Sequence, residues 1–237
     1  MTVPTITDTE ALRRRAPPIW NTDWLLLRGL AAQLDRMLGR IGSGSVLDFG
    51  CGTQPYHDLA VSHGLRYRGA DFGTAAEVTI APDGTLPSDL EPVDIVMSMQ
   101  VLEHVGDLDL YFSEIARVLD DDGVLLLSTH GTWLYHPHPQ DFRRWTRPGL
   151  QRDIETRGFV VEDIVSIVGP LATTTMLRLT SFAWALRQVP VVGRAIANIL
   201  AVVMNLRALL EDRITPRQVK DDNGCVYLVR CRKARAR

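Results

Sequence analysis

The sequence has few of the features that mark secreted, membrane or nucleic-acid-binding chains. Its 237 residues include only three cysteines, Cys51, Cys225 and Cys231, too few and too scattered for a disulfide framework or a CxxC metal site. The formal net charge of −2 gives no electrostatic case for a polyanionic partner, so we expect no nucleic acid to bind. The first fifteen residues lack an apolar export segment. These absences favour a cytoplasmic, reduced protein.

What the sequence does contain is a globular composition arranged as strands that alternate with helices. Hydrophobic residues make up 46% of the chain and charged residues 23%. Seven strands are predicted by short apolar runs at 45–49, 66–70, 77–80, 94–99, 124–128, 159–168 and 225–231. A turn is predicted at 120–123. This alternation predicts an α/β fold with a mostly parallel sheet covered by helices on both faces.

The same patterns divide the chain into three parts. We predict an N-terminal helical lid over residues 1–41, a sheet core over 42–168 and 223–237, and a helical insertion over 169–222. Within the insertion, apolar residues recur at three- and four-residue steps and predict an amphipathic helix with one wide apolar side; they are Val192, Ile196, Ile199, Val203, Leu206 and Leu210. Three interpretations stay open: the insertion caps the active site, buries a homodimer interface, or contacts a membrane surface through residues 170–210.

The most informative segment is the end of the first strand, where Gly50 and Gly52 allow a tight turn and a close approach of backbone to ligand. This GxG lacks the third glycine of the dinucleotide fingerprint, and Asp48 precedes it. A carboxylate is unfavourable beside a pyrophosphate but favourable beside a cationic ligand. Asp71 and Asp83 follow the next two strands, and carboxyl ends of parallel strands share one edge of a sheet. We therefore expect these acids to line one site.

Five segments, in this order and spacing, resemble the class I S-adenosylmethionine-dependent methyltransferases. They are VLDFGCGT (46–53), YRGADF (67–72), APDGTLP (81–87), DIVMSMQVLEHV (94–105) and ARVLDDDGVLLLST (116–129). The resemblance covers roughly residues 45–167, and the seventh strand rejoins it at 225–232. It implies a Rossmann-like, seven-stranded sheet whose last strand is antiparallel.

The resemblance also implies S-adenosyl-L-methionine as cofactor and assigns residues to it. Asp48, Gly50 and Gly52 would surround the methionyl part, and Asp71 would bind the ribose. Asp83 and Gly84 would frame the adenine, and Gln100 would line the sulfonium end. Cys51, a small packed turn residue, and Phe72 complete the predicted cofactor-binding set.

The acceptor side is less defined. His130, His136 and His138 follow the fifth strand and are candidate catalytic residues, because a hydroxyl acceptor must lose a proton and imidazole titrates near neutral pH. The candidate substrate contacts are Trp20, Trp24, Tyr135, Arg143 and Arg144. The predicted function is methyl transfer to oxygen of a small-molecule or glycan-like acceptor. Alternatives are N- or C-methylation of a lipid-linked acceptor, and a non-catalytic cofactor-binding partner subunit.

A metal site is not predicted. Some quinone-type O-methyltransferases hold a divalent ion with acids around an ExxEH segment, but Gln100 stands here in place of the first acid. The remaining set of Glu103, His104 and Asp107 offers few oxygens to an ion such as magnesium. His104 is interpreted as a structural or cofactor-side residue.

Overall fold

The structure, a computed structural model, describes residues 6–73 and 76–235, with side chains from residue 10 onward. The first five residues of the predicted lid and the last two of the predicted core lie outside this range. The strands are β1 Gly44–Phe49, β2 Leu65–Phe72, β3 Val78–Ile80, β4 Val93–Met99, β5 Leu119–His130, β6 Phe159–Ile167 and β7 Val226–Lys233. The helices are α1 Ile6–Arg15, α2 Trp24–Leu38, α3 His57–Ser62, α4 Leu108–Val118, α5 Arg147–Glu155, α6 Pro170–Arg187, α7 Gly193–Ile214 and α8 Arg217–Asp222.

The strands form one seven-stranded sheet in the order β3-β2-β1-β4-β5-β7-β6. All pairs are parallel except those of β7, which runs antiparallel to both β5 and β6. The predicted fold class is confirmed. Strand order reverses beside β1, so the carboxyl ends of β1 and β4 form the crevice in which open α/β sheets bind ligands.

Two apolar layers cover the sheet, as the near-continuous hydrophobic strands require. One layer packs α4 and α5 on the sheet through residues such as Phe112, Ile115 and Leu150. The other packs α2 and the beginning of α6 through residues such as Leu34 and Met176. Helices therefore lie on both faces, and the ends of the strands are left for a site.

One predicted turn is wrong. Residues 120–123 belong to β5, which begins at Leu119. Val93 of β4 pairs with Leu119 and Ile95 pairs with Val124, so β5 has extra residues in this part of the ladder. The side chains of Asp120, Asp121 and Asp122 are exposed there, in a bulge that removes charged residues from the buried ladder. Aspartate-glycine sequences favour turns, and the same local preference serves a bulge.

Candidate active site

The corner after β1 is shaped by two glycines with left-handed backbone. Gly50 has φ +81° and Gly52 has φ +52°, a region that side chains rarely adopt. The backbone N–H groups of Gly50 and Cys51 both donate to the carbonyl of Ala70 on β2. A Cβ at position 50 would lie 2.6 Å from Val101 Cγ2, whereas one at position 52 would meet nothing within 4 Å. Gly50 is therefore needed for packing, and Gly52 leaves open space.

That open space belongs to a cavity of about 550 Å³ at the carboxyl ends of the first four strands. This volume lies within the usual range for small-molecule sites. All nine predicted cofactor-binding residues line the cavity: Asp48, Gly50, Cys51, Gly52, Asp71, Phe72, Asp83, Gly84 and Gln100. The chain thus brings together acids from three strand ends, as their spacing predicts.

Asp48 is an electrostatically unusual residue of the cavity. It is buried, and its Oδ2 accepts a hydrogen bond from the hydroxyl of Tyr67 at 2.6 Å. Burial raises the pKa of its carboxyl to about 7; the Tyr67 hydrogen bond opposes this rise and the charge of Asp71 adds to it. A buried carboxylate with no cationic partner among the described residues favours a ligand that brings a positive charge.

The other two acids are held by backbone donors. Asp71 accepts from the N–H of Gly52 at 2.5 Å and from the N–H of Phe72 at 2.7 Å. Asp83 accepts from the N–H and the hydroxyl of Thr85, and the pKa of its carboxyl is lowered by these bonds. Each carboxylate keeps lone pairs for ligand hydroxyl or amino groups, since an ionised carboxylate accepts about four bonds.

Cys51 is not set up as a nucleophile. Burial raises the pKa of its thiol to about 12, and the nearby charges of Asp48 and Asp71 add to the effect. A thiol that stays protonated at neutral pH is a small packing residue rather than a reactive one.

Behind Gln100 lies a buried chain of polar side chains. His130 Nδ1 is 2.6 Å from Glu103 Oε1, and both side chains are inaccessible, at 1% and 0% exposure. Thr129 donates its hydroxyl to Glu103 Oε2 at 2.8 Å. On the other side of the ring, His130 Nε2 is 3.2 Å from Gln100 Nε2. Because Nδ1 lies against the Glu103 carboxylate and Nε2 against the Gln100 side-chain amide, His130 holds Gln100 against the cavity.

This arrangement corrects the prediction that His130 is a catalytic base. Its ring is absent from the cavity lining, and Gln100 lies between it and the cavity. Burial alone would raise the pKa of Glu103, but the hydrogen bond and charge of His130 bring it below its ordinary value.

Gln100 itself has a strained backbone, with φ +57° directly after β4. Its N–H donates to the carbonyl and the hydroxyl of Ser128 on β5. A left-handed glutamine at a ligand cavity is the kind of local strain that functional sites retain.

Three other imidazoles do line the cavity. His136 stacks on His104 with ring centroids 5.0 Å apart, and His138 lies edge-on to His136 at 5.6 Å. The His104 ring is held by a 2.5 Å hydrogen bond from Nδ1 to the carbonyl of Gln140. Burial lowers the pKa of His136 to about 4, and the neighbouring His130 contributes to this. His136 is therefore neutral at neutral pH and has a lone pair to accept a proton.

The predicted substrate contacts do not reach this cavity. Arg143 donates to the carbonyls of Val105 and Gly106, and Arg144 forms a two-point pair with Asp141. These arginines fix the loop after β5, and Arg144 holds the pKa of Asp141 well below its usual value. Tyr135 is exposed, outside the lining residues. Sequence patterns do not distinguish a loop-fixing arginine from a ligand-binding one.

The two tryptophans also lie elsewhere. Trp24 is buried in the apolar layer under α2, with the guanidinium of Arg28 over its ring at 5.2 Å, and Trp20 is exposed outside the cavity lining. It is α1, through Glu10 and Arg14, that contributes side chains to the cavity. None of the described residues of 169–222 lines the cavity, so the structure does not support the interpretation of the insertion as an active-site cap.

Tyr67 was missed by the sequence analysis, although a signal existed. Tyr67, Gly69 and Asp71 alternate along β2 and so share one face of the sheet. A Cβ at Gly69 would lie 2.8 Å from Cys51 Sγ, so this glycine makes room for the corner between the two functional side chains. No pattern indicated the contributions of Glu10 and Arg14, because α1 precedes the recognised motifs.

Two groups of described residues place possible metal ligands within 4.8 Å of one another: Glu103, His130 and His136, and His104, His136 and Asp141. Their carboxylates are already engaged, Glu103 by His130 and Asp141 by Arg144. Asp107, the third residue of the weak sequence set, caps α4 by accepting from two backbone N–H groups. These pairings make the groups poor metal sites.

Comparison with known proteins agrees with the fold. A family model described as a methyltransferase domain matches residues 25–161, and the chain belongs to this family. Its cofactor class is S-adenosylmethionine, as the sequence resemblance predicts.

Relatives support the same class over part of their length. The chain is 30% identical over 149 residues to a protein of Mycolicibacterium smegmatis named "Probable S-adenosylmethionine-dependent methyltransferase", covering 56% of this chain and 58% of that protein. It is 30% identical over 104 residues to a ubiquinone biosynthesis O-methyltransferase of Bartonella bacilliformis, covering 37% of this chain and 42% of the relative. The matches thus span about half the length of these relatives.

Among solved structures, the [4+2]-cyclase SpnF superposes over 100% of this chain and 99% of its own, with a TM-score of 0.53 and 16% identity. At this identity the likeness establishes the fold alone.

Proposed function

We propose that this protein transfers a methyl group from S-adenosylmethionine to a hydroxyl oxygen of a small-molecule or glycan-like acceptor. The observation that carries the proposal is the group of His104, His136 and His138 on the wall of the cavity that Asp48 and Asp71 also line. Cofactor-binding acids and proton-accepting imidazoles therefore face one space.

The chain's residues fit a cationic, hydroxyl-bearing cofactor. Within the described part of the chain Asp48 has no cationic partner, Asp71 offers free carboxylate lone pairs, and the absent side chain of Gly52 leaves room. The bound cofactor supplies an electrophilic methyl group. The protein supplies alignment, exclusion of water and a proton acceptor.

We assign His136 the role of accepting the hydroxyl proton. Its ring lines the cavity, and the low pKa of the ring keeps it neutral. An alcohol oxygen becomes strongly acidic once it is methylated, so a weakly basic imidazole suffices. His104 supports the ring by stacking, and Gln100, held by His130, lines the space beside it.

We propose α1 as the lid over this space. Glu10 and Arg14 line the cavity, while neighbouring arginines fix the helix: Arg15 pairs with Asp58 at 2.5 Å and Arg13 with Asp23 at 2.9 Å. These pairs are partly exposed, so each contributes little and the helix can open for ligand exchange.

The test is methyl transfer from labelled S-adenosylmethionine to a panel of phenols, catechols and monosaccharides. On any acceptor that is turned over, His136→Asn should lower kcat about a hundredfold while the cofactor Kd stays within about twofold. The matched control is His63→Asn, because His63 pairs with Asp35 outside the cavity lining. An unchanged kcat in His136→Asn would remove the assignment of the base.

A lipid-linked acceptor is the second candidate, favoured by the exposed apolar side of α7. Substituting polyprenol-linked acceptors in the same assay, for transfer to oxygen, nitrogen or carbon, distinguishes the two. Cofactor binding without transfer to any acceptor would instead favour the non-catalytic partner subunit. A cytoplasmic location remains a proposal, supported by the unpaired thiols of all three cysteines.

A further inference from the structure

The feature that the proposed function leaves unexplained is the arm formed by α6 and α7. The outer halves of these helices pack on each other through a small core of Leu179, Ala183, Ala197 and Ala201 that is separate from the two layers on the sheet. The base of the arm is fixed to the domain. Asn205 donates from Nδ2 to the carbonyls of Ile19 and Asn21, at 2.6 and 2.7 Å.

The large apolar residues of α7 face away from the protein. Ile196, Ile199, Val203, Leu206, Leu210 and Ile214 are all exposed, with Ile199 at 67%. The side of α7 that packs inward carries Ala197, Ala201 and Ala208 together with Asn205. Alanines on the inward side let α6 and α7 approach closely. The apolar side predicted from the sequence therefore faces outward. We call these six outward residues the α7 stripe.

The turn at the end of the arm is apolar as well. Val189, Val191 and Val192 are exposed, and Val191 is 99% exposed with a φ of +62°. A β-branched residue in this region is strained, and a valine in such a turn has no packing partner to offset the strain. On α6, Phe182 and Trp184 add exposed aromatic rings. Exposed apolar surface of this extent in a folded domain marks an interaction site.

The charges around the stripe indicate what covers it. Between Pro170 and Ile214 there are five arginines and two acids, a net charge of +3 in a chain whose total is −2. Asp212 pairs with Lys220, and Glu211 with Arg207. No described carboxylate lies within ion-pair distance of the other four arginines, which are Arg178, Arg187, Arg194 and Arg213.

These observations distinguish a membrane from a second copy of the chain. Two arms packed face to face would bring the same arginines together, whereas anionic lipid headgroups would neutralise them. Exposed aliphatic, aromatic and arginine side chains together are the composition of helices that lie in a membrane interface. By length and composition α7 is also long and apolar enough to cross a membrane. The anchoring of Asn205 to the residues before α2 fits a helix lying on the surface instead.

We propose that the arm binds the surface of an anionic lipid bilayer. The α7 stripe and the valine turn enter the boundary between headgroups and acyl chains, and the free arginines contact lipid phosphates. The inference does not depend on methyl transfer, and it requires no change in the fold.

The test is flotation of the full chain with phosphatidylcholine vesicles, with and without phosphatidylglycerol. We expect binding to the anionic vesicles that weakens as salt is raised. Ile199→Ser with Val203→Ser should reduce the partition coefficient about tenfold or more, and Arg187→Gln with Arg194→Gln should reduce it several-fold. The matched controls are Val160→Ser and Arg152→Gln, exposed residues on β6 and α5 that should leave binding unchanged.

The serine substitutions lie on exposed positions, so thermal melts should match the parent protein and exclude unfolding as the cause. Absence of binding to anionic vesicles would overturn the proposal. Light scattering would then show whether the chain is a dimer, and a dimer dissociated by the serine pair would assign the stripe to a second copy. Vesicle binding that both serine and glutamine pairs leave intact would equally overturn it.

Discussion

Asp48 and Glu103 are both buried carboxylates at the strand ends, and their surroundings give them opposite properties. Glu103 has a cation-forming partner 2.6 Å away in His130, and its pKa lies below the ordinary value. Asp48 has, of the residues that the structure describes, only the Tyr67 phenol hydroxyl at 2.6 Å, and burial raises its pKa to about 7. The difference shows that Glu103 has its charge-balancing partner within the protein, whereas we expect the ligand to supply that partner for Asp48.

The largest expected effect comes from removing the carboxylate of the Glu103–His130 pair. Glu103→Ala leaves the His130 N–H and the Thr129 hydroxyl without acceptors in a buried site, and should lower the free energy of unfolding by about 3–5 kcal/mol. Urea denaturation measures it. Glu103→Gln keeps an acceptor and should lose clearly less. Equal losses in the two variants would contradict the role of this carboxylate as an acceptor.

Removing the carboxylate of Asp48 should affect cofactor binding instead. Asp48→Asn keeps an acceptor for Tyr67 but no charge, and should weaken S-adenosylmethionine binding about a hundredfold. A carboxyl whose pKa rises on folding makes the folded protein less stable as pH increases from about 4 to 7. Without ligand, Asp48→Asn should therefore be at least as stable as the parent protein in thermal melts at pH 8. Normal cofactor binding by Asp48→Asn would contradict the assignment of Asp48 to the cofactor site.

The two glycines of the corner should separate stability from affinity. Gly50→Ala places a Cβ against Val101 at positive φ and should lower the free energy of unfolding by about 2–3 kcal/mol, partly restored by Val101→Ala. Gly52→Ala meets no atom within 4 Å and should cost about 1 kcal/mol of stability while weakening cofactor binding. Denaturation and titration calorimetry on both variants check this contrast. Similar profiles for the two would contradict it.

Much of the cofactor side was predictable because its determinants are local. A strand, a glycine turn and an acid at the next strand end are adjacent in sequence, and parallel pairing brings the ends of β1 and β2 to one edge. The alternation of Tyr67, Gly69 and Asp71 along β2 is equally local in the sequence.

The acceptor side and the arm depend on contacts between distant segments. Arg143 reaches the carbonyl of Val105, Glu103 meets His130, and Asn205 bonds to Ile19 across the chain. Residue type alone cannot distinguish such pairings from exposed side chains. Hydrophobic periodicity likewise identifies the apolar side of α7 but not which side the protein covers, and the structure packs the alanine side inward.

The charge state of Asp48 is central to cofactor binding, and titration calorimetry of S-adenosylmethionine at pH 6 and pH 8 tests it. A cationic ligand beside a carboxyl with a pKa of about 7 favours the ionised form, so binding at pH 6 should release a proton and be several-fold weaker than at pH 8. Asp48→Asn should show neither proton release nor this difference. Equal affinity at both pH values in the parent protein, with no proton released, would contradict the account.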